Sequence, residues 1–401
     1  MNNETAKSAI YCFGLALTAR IISVILTTAT AFNPESAGDA VEFGNYAEMI
    51  AFGLRNGNPY SNTPSSVDPT QFLIPLTSVN IYELWGTLLA PFWLLPGPSG
   101  FYARLGNALL GALAIYNVYV IARYYHSHQA GFLAALPMIF YPSFVAVHST
   151  LLREAVILFA ITTTAQLLII PSNRRSRLLT YAMAGGLLHV ALLLRSDNVF
   201  IYASAIGAGL AVYAFESEYI SKQSLGVGVI LSSAVFIVAL PFVRDGVEFL
   251  ARTRELRAKG RAVYLPEIVP QTVLELGVFS WIGGAYFLYA PFPWMIETIP
   301  DLLVGFEGLI SICYTLFAVW GIRSLGRKNW PATIALLVGL GVALVLYGVG
   351  TANYGTGMRH RQMFLWVVFL FGGIGFSERV RIVWPFSYSS HRSSKTREPS
   401  T

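Results

Sequence analysis

The sequence predicts an all-α polytopic membrane protein of about 10 transmembrane helices (roughly 10–12), with amphipathic helices at the interface in the first and a later external loop. Three observations predict it. The chain is 55% hydrophobic and only 12% charged, where soluble domains carry about a quarter charged residues. Apolar runs of about 18 residues or more recur along its length. Lysine and arginine gather in short segments between those runs.

The clear runs cover 8–31, 101–124, 130–149, 151–171, 178–195, 197–215, 224–243, 304–322, 331–350 and 362–377. Lys7 ahead of the first run, and Ala29-Thr30-Ala31 at its end, imitate a signal peptide. Arg20 interrupts that run and further spans follow it, so an uncleaved first helix is expected. Two apolar stretches, 81–95 and 273–294, are ambiguous. They contain Pro91, Pro96 and Pro98, and Gly283, Gly284, Pro291 and Pro293, which read as breaks. Positive charge arbitrates between the readings. Arg174, Arg175, Arg177, Lys222, Arg323, Arg327 and Lys328, and the residues after Arg379, share one side only if neither stretch crosses. The two stretches are then interfacial or re-entrant, and both termini are cytoplasmic in a multi-pass cell-membrane protein.

Residues 1–385 form one transmembrane domain on this reading, and 386–401 a disordered basic tail on the anionic leaflet. No internal repeat is evident, which removes support for an inverted-repeat transporter. The two cysteines, Cys12 and Cys313, lie inside apolar runs, so neither a disulfide framework nor Cys/His metal spacing is present. The net charge of +6 reads as a topology signal, with nothing pointing to nucleic acid.

The exported polar segments are 32–80, the turn from His148 to Glu154, the turn Arg195-Ser196-Asp197-Asn198, the stretch 244–301 and the loop Tyr354–Arg361. Asp39 follows Gly38 and opens the amphipathic stretch containing Glu42 and Tyr46. It can cap the free amides of a surface helix, or serve as a general base at the water–membrane boundary. Arg153-Glu154 opens a helix straight after a turn and faces the same side. Glutamate is favourable in a first helical turn without any function, and an arginine there can snorkel. Arg195 and Asp197 can form a structural ion pair. Arg359-His360-Arg361 puts two guanidinium groups on the face where positive charge is depleted, which suits an anion site with bidentate phosphate contacts or outer-leaflet headgroups. Arg20, in the middle of the first run, costs roughly 2.5–3.5 kcal/mol on insertion scales, so it must meet a partner or water inside the bundle. The basic run Arg252, Arg254, Arg257, Lys259 and Arg261 looks like a solvated helix face, or the lining for an acidic glycan or lipid phosphate.

Asp39 with Asn45-Tyr46-Ala47-Glu48, then Gly57-Asn58-Pro59-Tyr60, then Ala103-Arg104 through Gly111 and Tyr119 to Arg123, then Tyr141-Pro142-Ser143 running into Leu152-Arg153-Glu154, follow one another in an informative order. With Pro291-Phe292-Pro293-Trp294 and Arg359-His360-Arg361, the series resembles the GT-C superfamily of membrane glycosyltransferases, of the dolichyl-phosphate-mannose protein mannosyltransferase and aminoarabinose-transferase type. The resemblance covers about 10–215 best. The chain departs from the pattern where Ala40 follows Asp39, where Glu154 stands without an Asp-x-Asp, and in carrying no large C-terminal soluble domain. These departures give no support for a divalent metal, and no cofactor is expected.

The resemblance implies sugar transfer from a polyprenyl-phosphate-linked donor to a glycan, lipid or protein acceptor on the non-cytoplasmic face. Asp39 and Glu154 would be catalytic, Arg359, Arg361 and Arg153 would bind the donor phosphate, and Arg20, Glu42, Tyr46, Arg195, Asp197 and His360 would support the site or the substrate. Two other readings remain open at this point. A lipid-linked polysaccharide polymerase or ligase would use His360 or His148, and a lipid-glycan flippase or transporter would place ionisable residues deep in the helices.

Overall fold

Helices account for every regular element in the computed structural model, which describes residues 3–29, 38–57, 81–171, 176–216 and 245–380. No strand occurs among the described residues, only an isolated bridge between Val263 and Asn353. The expected span 224–243, Arg174, Arg175, Lys222, the basic tail, and the loop outside 38–57, with most of Gly57-Asn58-Pro59-Tyr60, lie outside the described residues.

The helices run α1 (Asn3–Ala29), α2 (Gly38–Arg55), α3 (Ile81–Leu94), α4 (Ser99–Tyr125), α5 (His128–Phe140), α6 (Pro142–His148), α7 (Glu154–Ile169), α8 (Arg177–Leu194), α9 (Val199–Glu216), α10 (245–257), α11 (Val273–Tyr289), α12 (Ile299–Gly326), α13 (Trp330–Gly350) and α14 (Tyr354–Arg379). Polar caps set several starts: Ser127, Ser176, Thr272, Asn329 and Asn353 each accept a backbone N–H, and Thr298 with Asp301 closes a capping box. Among the described residues six helices are long and apolar enough to cross a membrane, and α7 and α11 are shorter apolar helices. This is a multi-pass α-helical membrane protein.

The expected continuous span 130–149 is two helices, α5 and α6, bent by 69°. Pro142 is the cause. It forces Tyr141 into an extended conformation and offers no N–H to the preceding turn. The Met138 carbonyl therefore lacks its helical partner, and the Arg20 guanidinium donates to it at 3.0 Å. Arg20 also donates to the Ala16 carbonyl at 3.1 Å and meets His148 Nδ1 at 3.1 Å. Arginine only donates, so Nδ1 accepts and a neutral His148 carries its proton on Nε2. Arg20 is thus fully buried on carbonyls and a histidine, with no carboxylate partner among the described residues.

Helix α14 is the axis of the bundle, buried along nearly its whole length and packed on α12, α5 and α11. Glycine permits the tightest crossing: a Cβ at Gly321 would lie 1.9 Å from the Phe371 carbonyl, and one at Gly375 1.9 Å from that of Phe317. Gly283 and Gly284, read in the sequence as breaks, do not interrupt α11; they seat it against Gly348 and Leu344 of α13. Its end comes at Ala290, before Pro291. The supposed loop Tyr354–Arg361 is likewise helical, forming the first turns of α14 behind the Asn353 cap. Successive residues then point about 100° apart, so Arg359 and Arg361 face opposite ways.

The basic run in the last turns of α10 and just beyond it is not a solvated face throughout. Arg254 is 0% exposed and donates to the carbonyls of Ile268, Tyr264, Leu265, Thr351 and Val349 at 2.7–3.3 Å, with the Phe279 ring 4.8 Å away. It ties the segment after α10 to the α13–α14 connection, where Tyr264 N–H also bonds the Ala352 carbonyl at 2.9 Å. Replacing Arg254 with Met leaves the Ile268, Tyr264 and Val349 carbonyls without that donor, while Thr351 keeps the Tyr264 hydroxyl and Leu265 the Ile268 N–H; each buried group stranded costs on the order of 1–3 kcal/mol. Amide hydrogen exchange across 258–272 is expected to accelerate at least about tenfold in R254M. Unchanged protection there would disprove the staple.

Candidate functional site

The N-terminal ends of α2, α7 and α14 meet at one end of the bundle and carry opposite charges. Asp39 lies in the first turn of α2 and Glu154 opens α7. From α14, Arg359 reaches both: one terminal nitrogen is 3.0 Å from Asp39 Oδ2 and the other 3.2 Å from Glu154 Oε1. The three side chains differ in access. Glu154 is wholly buried, Arg359 is 17% exposed and Asp39 37%. Only Asp39 among them faces solvent enough to meet an incoming hydroxyl.

Neighbouring helices hold these groups in register. Tyr82 of α3 donates to Asp39 Oδ1 at 3.0 Å and packs against Phe43 and Tyr46. The turn before Glu154 is pinned by Asn107, whose amide donates to the Thr150 and Leu152 carbonyls at 2.7 and 2.8 Å, and by the Trp85 indole, 2.7 Å from the Leu151 carbonyl. Such second contacts restrict the rotamers that the charged groups can adopt. Burial pushes the Asp39 carboxyl up, but the Arg359 guanidinium bonded to it, with Tyr82 and the nearby Arg153, outweighs burial and holds it below its ordinary value.

More cations converge behind this group. Arg359, Arg195 and Arg153 all act on Glu154, and Arg195, Arg257, Arg359 and Arg153 all act on His360. His360 is buried edge-on against Tyr347, with ring centroids 5.3 Å apart. Tyr347 donates to Asn198 Oδ1 at 2.8 Å, and Asn198 donates to Tyr202 at 2.9 Å. Arg257 comes from the end of α10, bonded to the Gly350 carbonyl at 3.3 Å.

Asp39, Glu154 and Arg359 are therefore brought together, with Arg153, Arg195, His360 and Tyr46 beside them. Glu42 sits on the exposed face of α2. The expected Arg195–Asp197 ion pair is absent among the described residues; Arg195 turns inward while Asp197 stays exposed in a short 3-10 turn. Arg361 does not join the group around Arg359. It is buried against Glu307 at 3.4 Å and the carbonyls of Leu288 and Ala290, because it lies on the opposite side of α14 from Arg359. Arg20 and His148 also lie apart, inside the bundle.

Tyr82 and Tyr347 escaped the sequence reading, while Arg257, Asn198 and Asn107 entered it only as members of a basic run, a turn and a motif. Tyr82 stood in an ambiguous stretch and Arg257 in a basic run, which are weak signals. Tyr347 sits in a wholly apolar run and carried none. Comparison with protein-family models, with curated proteins and with solved structures returned no match.

Proposed function

We propose that this chain is a GT-C-type membrane glycosyltransferase. It has about ten spans and cytoplasmic termini in the cell membrane, and it transfers a sugar from a polyprenyl-phosphate donor to an acceptor hydroxyl on the non-cytoplasmic face. The observation that carries this reading is Arg359 bridging Asp39 and Glu154 at distances of 3.0 and 3.2 Å, on three helices that are remote in sequence. A half-exposed carboxylate next to an excess of guanidinium groups supplies the two things such a transfer requires, a base and an electrophilic cradle for phosphate.

In the reaction, the acceptor oxygen attacks the anomeric carbon while Asp39 takes its proton. The bond from that carbon to the phosphate oxygen breaks, and its electron pair leaves on polyprenyl phosphate, neutralised by the arginines. Base and leaving group lie on opposite faces, so inversion at the anomeric centre is expected. Glu154, buried and without access to acceptor, acts as a positioning residue that orients Arg359.

The test is transfer itself. Membranes containing the chain, supplied with radiolabelled polyprenyl-phosphate-linked sugars, are expected to release polyprenyl phosphate and label an acceptor. No release from any hexose or pentose donor would overturn the reading.

A pH profile gives a second check. Asp39 works as a base only when ionised, and Arg359 holds its carboxyl below the ordinary aspartate value of about 3.9. The rate is therefore expected to stay flat as pH falls from 7 to about 5, and to drop only below the ordinary aspartate value. Arg359→Gln removes the cation that lowers Asp39, so its acid limb moves to higher pH. An acid limb centred near pH 6.5 in the wild type would exclude Asp39 as the base.

A further inference from the structure

We infer that Arg195, together with Arg257 and Arg153, forms the contact point for a phosphate-class anion, while Arg359 is committed to the carboxylates. This rests on the glycosyltransferase reading above and deepens it by separating the anion site from the base site.

Arg195 is only 7% exposed, yet its Nε and Nη1 have no hydrogen-bond partner among the described residues. Each is an N–H that a phosphate oxygen can take, on two different edges of the guanidinium plane. Leaving such donors buried and unmatched is costly, and the surroundings do not answer them from within the chain. Glu154, Asp197 and Tyr347 lie within electrostatic reach of Arg195, and so do further cations. Arg153 and Arg257 both lie within electrostatic reach of Arg195, and the four arginines of the site outnumber Asp39, Glu154 and Asp197. The Nε of Arg359 and the Nδ1 of His360 are also buried and unpartnered. Several convergent donors and a surplus positive charge describe a preformed anion cradle.

Glu154 and Asp39 take both terminal nitrogens of Arg359. A phosphate at the open donors of Arg195 therefore does not have to displace the pair between Arg359 and Asp39.

The test uses purified full-length protein in lipid nanodiscs, with inorganic phosphate and undecaprenyl phosphate as separate probes. Arg195→Met is expected to weaken anion binding about 10- to 100-fold, with the thermal midpoint of the ligand-free protein measured alongside because the side chain also serves Glu154 and Tyr347. If Arg195→Met does not fold, Arg257→Gln, a partly exposed position, carries the test with an expected loss of about tenfold. Stronger binding of undecaprenyl phosphate than of inorganic phosphate identifies a lipid headgroup; equal binding identifies free phosphate. Wild-type affinity in both variants would overturn this inference and leave the glycosyltransferase reading standing if Asp39→Asn still abolishes transfer. No binding of either probe to the wild type would overturn both.

Discussion

Asp39→Asn is expected to reduce sugar transfer by about 10²–10⁴-fold while the protein remains folded and in the membrane. The substitution preserves size and removes the charge that makes a base. The amide oxygen can still accept the Arg359 N–H seen at 3.0 Å while the amide NH2 donates to the Tyr82 hydroxyl oxygen now 3.0 Å from Oδ1, so the local packing survives. The loss should appear mainly in the rate at saturating donor, since the carboxylate acts on the acceptor proton and the donor phosphate is held elsewhere. Glu154→Gln separates the roles. It keeps an acceptor for Arg359 but removes a buried charge, and a smaller loss of rate than that of Asp39→Asn is expected from a positioning residue. Equal donor turnover by D39N and the wild type would remove Asp39 from the mechanism.

The largest expected effect on stability lies away from the site. Glu307 accepts the Ser143 backbone N–H at 2.7 Å, the Ser143 hydroxyl at 2.6 Å and an Arg361 N–H at 3.4 Å, all within the bundle. It therefore does two jobs, capping the short helix α6 and balancing a guanidinium that is 2% exposed. Glu307→Ala strands both, and removal of one partner of a buried pair costs about 3–5 kcal/mol. Thermal unfolding in detergent micelles is expected to show a large fall for the single variant. The double variant Glu307→Leu with Arg361→Met, which leaves no unpaired charge, is expected to recover most of it. A single variant that melts with the wild type would mean the pair carries no weight.

Much of the architecture could be read directly from hydrophobicity. Long apolar runs have one stable answer in lipid, because a helix is the only isolated segment that satisfies its own backbone. The 101–124 and 331–350 runs accordingly appear as α4 and α13, nearly residue for residue. The errors came where a local rule met a packing partner. Glycines in α11 read as breaks, yet they are contact points that only a neighbouring helix could reveal. Tyr354–Arg361 read as a loop because its charges break hydropathy, although Asn353 caps it as helix.

The site divides along the same line. Composition and charge alone determined that this is a membrane protein of many helices, and that Asp39, Glu154 and Arg359 are ionisable groups with few reasons to exist in an apolar chain. Those properties depend on transfer free energies, which are local and additive along the sequence. Only the tertiary structure decided that Arg359 would join Asp39 and Glu154 while Arg361, two residues on, would turn to Glu307. Ion pairs across helices depend on which faces meet, and that is set by helix rotation and packing among segments hundreds of residues apart.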